Sequence, residues 1–379
     1  MTRPLKLAYV GPAASVTFRR WVEWFAARKH EVTVLTVEPA PAPMCRQIDL
    51  RESRGPRRLG RVMSAWRLGK ELNRLRPDLV HVHYVRGLAW GALRQVRCPL
   101  VATPWGSDVL EEQGAFKEWY SRPLIRGVLN RADLVTVHSA YMEERVRPLI
   151  ESGRRVARIG WGVDLTKFRE GVGVGALRRQ WELRGDQPVL FSPRLGRRLY
   201  RHERIIQAMP AILKKVPHAA LAVAEQFPDD SYLGELRTLV RDLKLGPHVR
   251  FIGSVPYEQM PAWFNLADAV VMMPESDGMP NSLLEAMACG SVPVLAPLPQ
   301  YREVVEHGVN GFLVEPIPSA ISHDVIRALS EPVLRREMAG RNRKFVEMFA
   351  DQDKEMARME GWYRRLAGRE RESAEPCAA

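Results

Sequence analysis

Short apolar runs recur along most of the chain, each followed by a stretch whose apolar residues return every three or four positions. In the first half, residues 5–10, 31–37, 79–82, 100–103, 134–137 and 156–159 read as strands, with a helical pattern through Trp21, Val22, Phe25 and Ala26 joining the first two. Runs that are apolar throughout belong to strands buried on both faces, and such strands spaced by helices imply a parallel sheet covered on each side. The alternation restarts with strands 189–192, 219–224, 249–252, 269–273 and 292–296, spaced by helices 203–213, 232–243, 259–265 and 282–288. Two doubly wound α/β sheets in tandem are expected, with ligands beyond the carboxyl ends of their strands and in the cleft between two facing domains.

A chain of 379 residues suits two domains. Between 164 and 188, Gly171, Gly173, Gly175 and Gly185 interrupt a charged stretch with room for one short helix, so the linker is placed there. The expected division is an N-terminal domain at 1–168, a second domain at 187–345, a C-terminal helical segment at 346–368 and a mobile tail at 369–379. A bend is expected near Ala350-Asp351. The glycines at 171, 173 and 175 follow no strand and lack the spacing of a dinucleotide fingerprint.

The longest apolar run, 269–273, is far below the roughly 20 residues of a membrane-spanning helix. The first dozen residues lack the pattern of a secretory signal, so a cytoplasmic location is expected. Cys45, Cys98, Cys289 and Cys377 are too scattered for a metal knuckle or redox pair and read as free thiols. Net charge is +13, and its placement is uneven: residues 1–170 hold 30 basic against 17 acidic side chains, and the rest hold 27 of each. The densest basic stretch, 51–76, attracts phosphates, on nucleic acid, anionic lipid or a charged small molecule. No nucleic-acid-reading module accompanies it, which sets that partner aside. Arg57, Arg58 and Arg61 open a segment where Leu59, Val62, Met63, Trp66 and Leu68 form an apolar stripe. It reads either as a helix resting on a membrane interface or as one packed on the first sheet.

The most informative segment is PESDGMPNSLLEAMACG at 274–290, which follows a buried strand and opens a helix, with Gly278 and Pro280 shaping the turn. A helix start at the carboxyl end of a parallel strand offers free N–H groups and a positive dipole end, which suit a phosphate or diphosphate. Gly278, Met279, Asn281 and Ser282 carry that backbone. Asp277 and Glu285 bracket the loop and can reach one hydroxyl-rich ligand. Ser282-Leu283-Leu284-Glu285 also fits a capping box, a purely structural use of Glu285.

With this loop, the segments RADLVTVHS (131–139), WGVDLTKF (161–168) and HGVNGFLV (307–314) make the chain resemble family-four glycosyltransferases over nearly its whole length. The resemblance implies the GT-B fold, two facing Rossmann-like domains, and a retaining, metal-independent transfer of sugar from a nucleotide-diphosphate sugar, with no further cofactor. The second domain would hold that donor and the basic first domain a saccharide, anionic or lipid-linked acceptor, with peripheral membrane contact as an extension. By the same analogy Glu285 contacts the donor ribose, Asp277 (where the family usually has Glu) the donor sugar, and Arg194 of Ser192-Pro193-Arg194 the diphosphate. A second cation is sought among Arg197, Arg198 and Arg201, of which Arg198 is taken as the binding residue.

The chain also departs from the family. Trp105 stands where many relatives have a His, and Asp108 either takes over polar contacts near the reacting sugar or forms a turn. Glu225-Gln226-Phe227 replaces a frequent Gly-rich turn. His81 and His83 read as strand-end contacts to the acceptor rather than metal ligands. The competing reading is a binding protein of the same fold that has lost catalysis.

Overall fold

The computed structural model describes residues 3–40, 45–51, 57–92, 96–110 and 115–374. The chain forms two α/β units, Met1–Trp161 with Lys354–Ala379, and Gly162–Asp353.

In the first unit β1 (Lys6–Val10), β2 (Glu31–Thr36), β3 (Arg46–Asp49), β4 (Leu79–His83), β5 (Leu100–Thr103), β6 (Leu134–Val137) and β7 (Val156–Arg158) form a sheet ordered β3-β2-β1-β4-β5-β6-β7. All neighbours run parallel. Every residue of β4, β5 and β6 is buried, as uninterrupted apolar runs require. Strand β3 was not expected: Arg46-Gln47-Ile48-Asp49 lies at the sheet edge, partly exposed, and has no apolar run to announce it. Strand order reverses between β1 and β4, so their carboxyl ends flank the switch point.

The second unit contains β8 (Val189–Ser192), β9 (Ala220–Val223), β10 (Val249–Phe251), β11 (Ala269–Met272), β12 (Val292–Leu295) and β13 (Phe312–Leu313), ordered β10-β9-β8-β11-β12-β13. Its switch point lies between β8 and β11. The two-residue β13 was too short to read from the sequence.

The expected linker is not a free connection. Val163, Phe168 and Leu177 are buried in the second unit's core, and the segment holds one short helix, Gly175–Gln180. The first unit thus ends at Trp161 rather than at 168. The C-terminal segment is divided as well. The helix Pro332–Phe349 stays with the second unit, whereas Gln352–Ala374 packs on the first through Met356, Met359, Tyr363 and Leu366. That three-and-four spacing makes one apolar stripe, which is why the helix docks as it does. The break falls at Ala350-Asp351. Gly162, at φ 69°, lets the chain pass within van der Waals reach of Gln352, whose Cα would lie 2.3 Å from an added Cβ. Of the expected mobile tail, 375–379 lies outside the described residues.

Helix Arg57–Leu75 packs on the first unit by part of its stripe and leaves two members of it exposed. Leu68 and Leu72 are buried in the first unit, but Met63 and Trp66 are 45% and 61% exposed. The side chains of Arg57, Arg58, Leu59, Arg61 and Val62 lie outside the described residues. Among the described residues no helix is long and apolar enough to cross a membrane.

Candidate functional site

The loops after β8 and β11 converge at the second unit's switch point because several groups tie them together. Ser192 closes β8, and its hydroxyl lies 3.0 Å from His202 Nδ1, while His202 Nε2 reaches the Leu195 carbonyl at 2.8 Å. Burial lowers the His202 pKa to about 4, so the ring is neutral and clamps the loop that presents Arg194. Arg201, in left-handed backbone conformation, donates to the carbonyls of Met273 and Pro274 at 2.7 and 2.6 Å. The Glu275 N–H donates to the Leu199 carbonyl at 2.9 Å. Neither His202 nor Arg201 was singled out as scaffolding by the sequence, since their partners are distant loops.

Arg194 is thereby placed over the start of the helix Asn281–Ala288. One guanidinium nitrogen lies 2.7 Å from Asp277 Oδ2, and another donates to Ser282 Oγ at 3.2 Å. The Tyr301 phenol also donates to Asp277 Oδ2, at 2.8 Å, and the Gln300 amide donates to the Asp277 carbonyl at 2.5 Å. Tyr200 underlies the guanidinium, 4.5 Å from Cζ to ring centroid. Burial is the largest influence on both charged groups. It pushes Asp277 above the ordinary aspartate range against the pull of Arg194, and it pulls Arg194 down, a trend that Asp277 and the neighbouring tyrosines reverse. The 2.7 Å guanidinium contact and the donated phenol bond fit the carboxylate form of Asp277.

The helix Asn281–Ala288 has Pro280 at its N-cap and no side-chain cap. This overturns the capping-box reading of Glu285, because Ser282 sits inside the first turn. Glu285 is instead buried and accepts from the Tyr257 phenol at 3.1 Å. The turn places Gly278, whose N–H bonds to Asp277 Oδ1 at 2.9 Å, beside Met279, which packs on the second unit's core. Asn281 Oδ1, Gln300 Oε1 and Arg194 Nε are buried with no partner among the described residues. Such atoms at a helix start and a strand end suit a polar ligand.

Other expected residues lie elsewhere. Arg198 is exposed and paired with Glu235, and Arg197 donates to the Phe227 carbonyl at 3.2 Å, so neither joins the Arg194 group. Phe227 takes a φ of 48°, the conformation a glycine would adopt at low cost, with its ring 66% exposed. In the first unit Asp108 is fully buried, and its carboxylate accepts from the N–H groups of Val85, Trp105 and Gly106 at 2.8, 2.9 and 3.0 Å. That is the turn-forming use, and it corrects the expectation of sugar contact. His81 is buried in a network through Thr103 and Tyr363, and His83 stacks on it at 4.0 Å. Among the described residues no three His, Cys, Asp or Glu gather as a metal site would need.

Comparison with known proteins agrees with this architecture. The family description "Glycosyltransferase Family 4" matches residues 14–167, and "Glycosyl transferases group 1" matches 175–345. The chain belongs to the family-four glycosyltransferases and has their GT-B fold of two Rossmann-like units. Its sequence is 32% identical over 189 residues to a GDP-mannose-dependent α-(1-6)-phosphatidylinositol monomannoside mannosyltransferase of Mycolicibacterium smegmatis, covering 46% of this chain and 47% of that one. The chain thus spans about half the length of this and similar curated relatives that it matches. Among solved structures, Anabaena HepE with UDP and glucose superposes with a TM-score of 0.80 at 17% identity, over 96% of this chain and 100% of that one. Sucrose-phosphate synthase of Thermosynechococcus elongatus gives 0.79 at 20%, over 96% and 99%.

Proposed function

We propose that this protein is a retaining glycosyltransferase whose second unit binds a nucleotide-diphosphate sugar and whose first unit binds a saccharide or lipid-linked acceptor. The observation that carries the reading is Arg194, held beside Asp277 over the uncapped start of Asn281–Ala288. As the bond from the anomeric carbon to the diphosphate oxygen breaks, Arg194 and the helix N–H groups meet the charge left on the diphosphate. The acceptor hydroxyl bonds to the anomeric carbon from the same face, and its proton passes to the departing phosphate oxygen. Positive charge comes from the protein, so the reaction is read as metal-independent. Glu285 takes the ribose hydroxyls and Asp277 the sugar.

The mannosyltransferase relative is named for GDP-mannose, and HepE was crystallised with UDP. A thermal-shift and donor-hydrolysis screen across UDP, GDP, ADP and dTDP and their sugars therefore comes first, since a ligand at 100 times its dissociation constant adds about 2.7 kcal/mol. With the preferred donor, Arg194→Ala should lower kcat by a larger factor than it raises KM, because its charge matters most as the diphosphate leaves. A change confined to KM would reduce Arg194 to an anchor. Nucleotide binding without any turnover would favour the catalytically inactive reading. We further place the protein in the cytoplasm, touching an anionic membrane through Met63 and Trp66.

A further inference from the structure

The ion pair at the second unit's switch point is only half made. A guanidinium presents its Nε and Nη2 hydrogens side by side, a fork that fits two oxygens of one carboxylate or phosphate. Asp277 fills one prong: its Oδ2 lies 2.7 Å from Arg194 Nη2, whereas Arg194 Nε is buried with no partner among the described residues. The far nitrogen, Nη1, is on Ser282 Oγ at 3.2 Å. Asp277 Oδ1, which would complete a two-pronged pair, is taken instead by the Gly278 N–H at 2.9 Å. The backbone is fixed as well, because the Gln300 amide donates to the Asp277 carbonyl at 2.5 Å.

The groups around this pair offer little to set against a second anion. Arg194 and Tyr200 face Asp277 from the segment after β8, and Tyr301 faces it from the segment after β12. Arg201 is engaged with the Met273 and Pro274 carbonyls, His202 is neutral, Arg197 and Arg198 are turned to Phe227 and Glu235, and Glu275 is exposed. The Arg194 and Asp277 side chains are each 13% exposed, so water screens them poorly. A diphosphate diester would bring two more negative charges to the same guanidinium, and like charges held together out of water drive one of them to take a proton. The diester holds no proton near neutral pH, so the carboxylate is the group that can. Burial already raises Asp277 above the ordinary aspartate range, while Arg194 and the Tyr301 bond hold it down.

We propose that Asp277 is the resident anion of the Arg194 fork, that an entering nucleotide sugar displaces it and takes both prongs through its diphosphate, and that Asp277 binds one proton from solvent as it is displaced. The charge balances: the guanidinium passes from one anion to another, and the proton cancels the charge it no longer neutralises. Tyr301 and Gln300 are positioning residues, which keep the released carboxyl beside the site. In its neutral form that carboxyl both donates and accepts, as a sugar hydroxyl does, whereas the carboxylate only accepts. The inference rests on the donor reading proposed above and adds a proton to it.

The test is calorimetric titration of the full chain with UDP-glucose, GDP-mannose, ADP-glucose and dTDP-glucose, each in buffers of different ionisation enthalpy. Binding of the accepted donor should take up as much as one proton per site, and Asp277→Asn should take up none. Wild-type affinity should be highest in acid and fall by up to about tenfold per pH unit as the pH rises between the titration of Asp277 in the free protein and in the complex. The affinity of Asp277→Asn should stay level and exceed that of the wild type by at least about fivefold at the alkaline end. Should that variant fail to fold, Tyr301→Phe decides: by removing a donor to the carboxylate it should move the start of the fall to higher pH, and an unmoved start would overturn the proposal. Donor binding without proton uptake, equal uptake in Asp277→Asn, or weaker alkaline binding by that variant would overturn it while leaving the donor reading intact. Failure of all four nucleotide sugars to bind would remove the donor reading and the proposal with it.

Discussion

Arg194 is claimed by one group and offered to another. In the structure its charge is met by Asp277, one methylene shorter than the usual family glutamate, and Tyr301 shares the same carboxylate oxygen. On the proposed reading an incoming diphosphate would compete with Asp277 for the guanidinium, and the phenol of Tyr301 would give the carboxylate a second donor as it loses the first. Glu285 accepts from the Tyr257 phenol, and with the capping role gone its carboxylate is the one that, on the proposed reading, the ribose would meet. Gln retains an oxygen for the Tyr257 bond, so Glu285→Gln should leave stability nearly unchanged. It should weaken nucleotide binding by about 1.5 to 3 kcal/mol, the range for hydrogen bonds to charged groups. Calorimetric titration with unchanged affinity would remove the ribose role. Asp277 and Glu285 were singled out because they bracket one loop, and Arg194 through the family resemblance; the structure brings Arg194 and Asp277 together. Tyr301, Tyr257 and His202 were not singled out, since their partners lie 24, 28 and 10 residues away and no local pattern marks a bond formed by folding.

At the scale of elements, apolar runs located β4 to β6, β8 and the neighbours of β8 within a residue or two, because buried parallel strands leave no polar residues to blur them. Edge strands β3 and β13 lacked that signal. The helix Arg57–Leu75 shows why its face was ambiguous. Leu68 and Leu72 point into the core, whereas Met63 and Trp66, one turn apart, stand exposed among Arg67 and Lys70, with the Lys70 ammonium 5.9 Å from the Trp66 ring centroid. Exposed aromatic and thioether groups ringed by cations suit an anionic lipid surface. Replacing both Met63 and Trp66 by Ser should weaken co-sedimentation with phosphatidylserine-containing vesicles at low salt by about 2 kcal/mol, roughly thirtyfold. Donor hydrolysis should persist, because the proposed nucleotide site lies in the other unit. Wild-type protein that stays in the supernatant would dispose of the membrane contact.

The whole molecule consists of two units with separate cores, and their buried histidines are unequally shared. His81, His83 and His138 belong to the first and His202 to the second, all with pKa values lowered by burial. Folded, these rings stay neutral, whereas in the unfolded chain they titrate near about 6.5. Unfolding therefore takes up protons once the pH drops below that value. Stability is then lost as pH falls from about 6.5 towards 4, by about 1.4 kcal/mol per pH unit for each ring. Asp108 and Asp277, raised by burial, act in the opposite sense by taking protons first in the folded state, and each unit holds one of them. The excess of histidines makes the first unit the acid-labile one. Eight of the ten tryptophans lie in it, so tryptophan fluorescence follows that unit while calorimetry follows both. Between pH 7.5 and 5.0 the fluorescence midpoint should fall further than the later calorimetric transition, separating two events that run closer together at neutral pH. Equal shifts of both transitions would show that the histidines of the first unit do not set its acid limit.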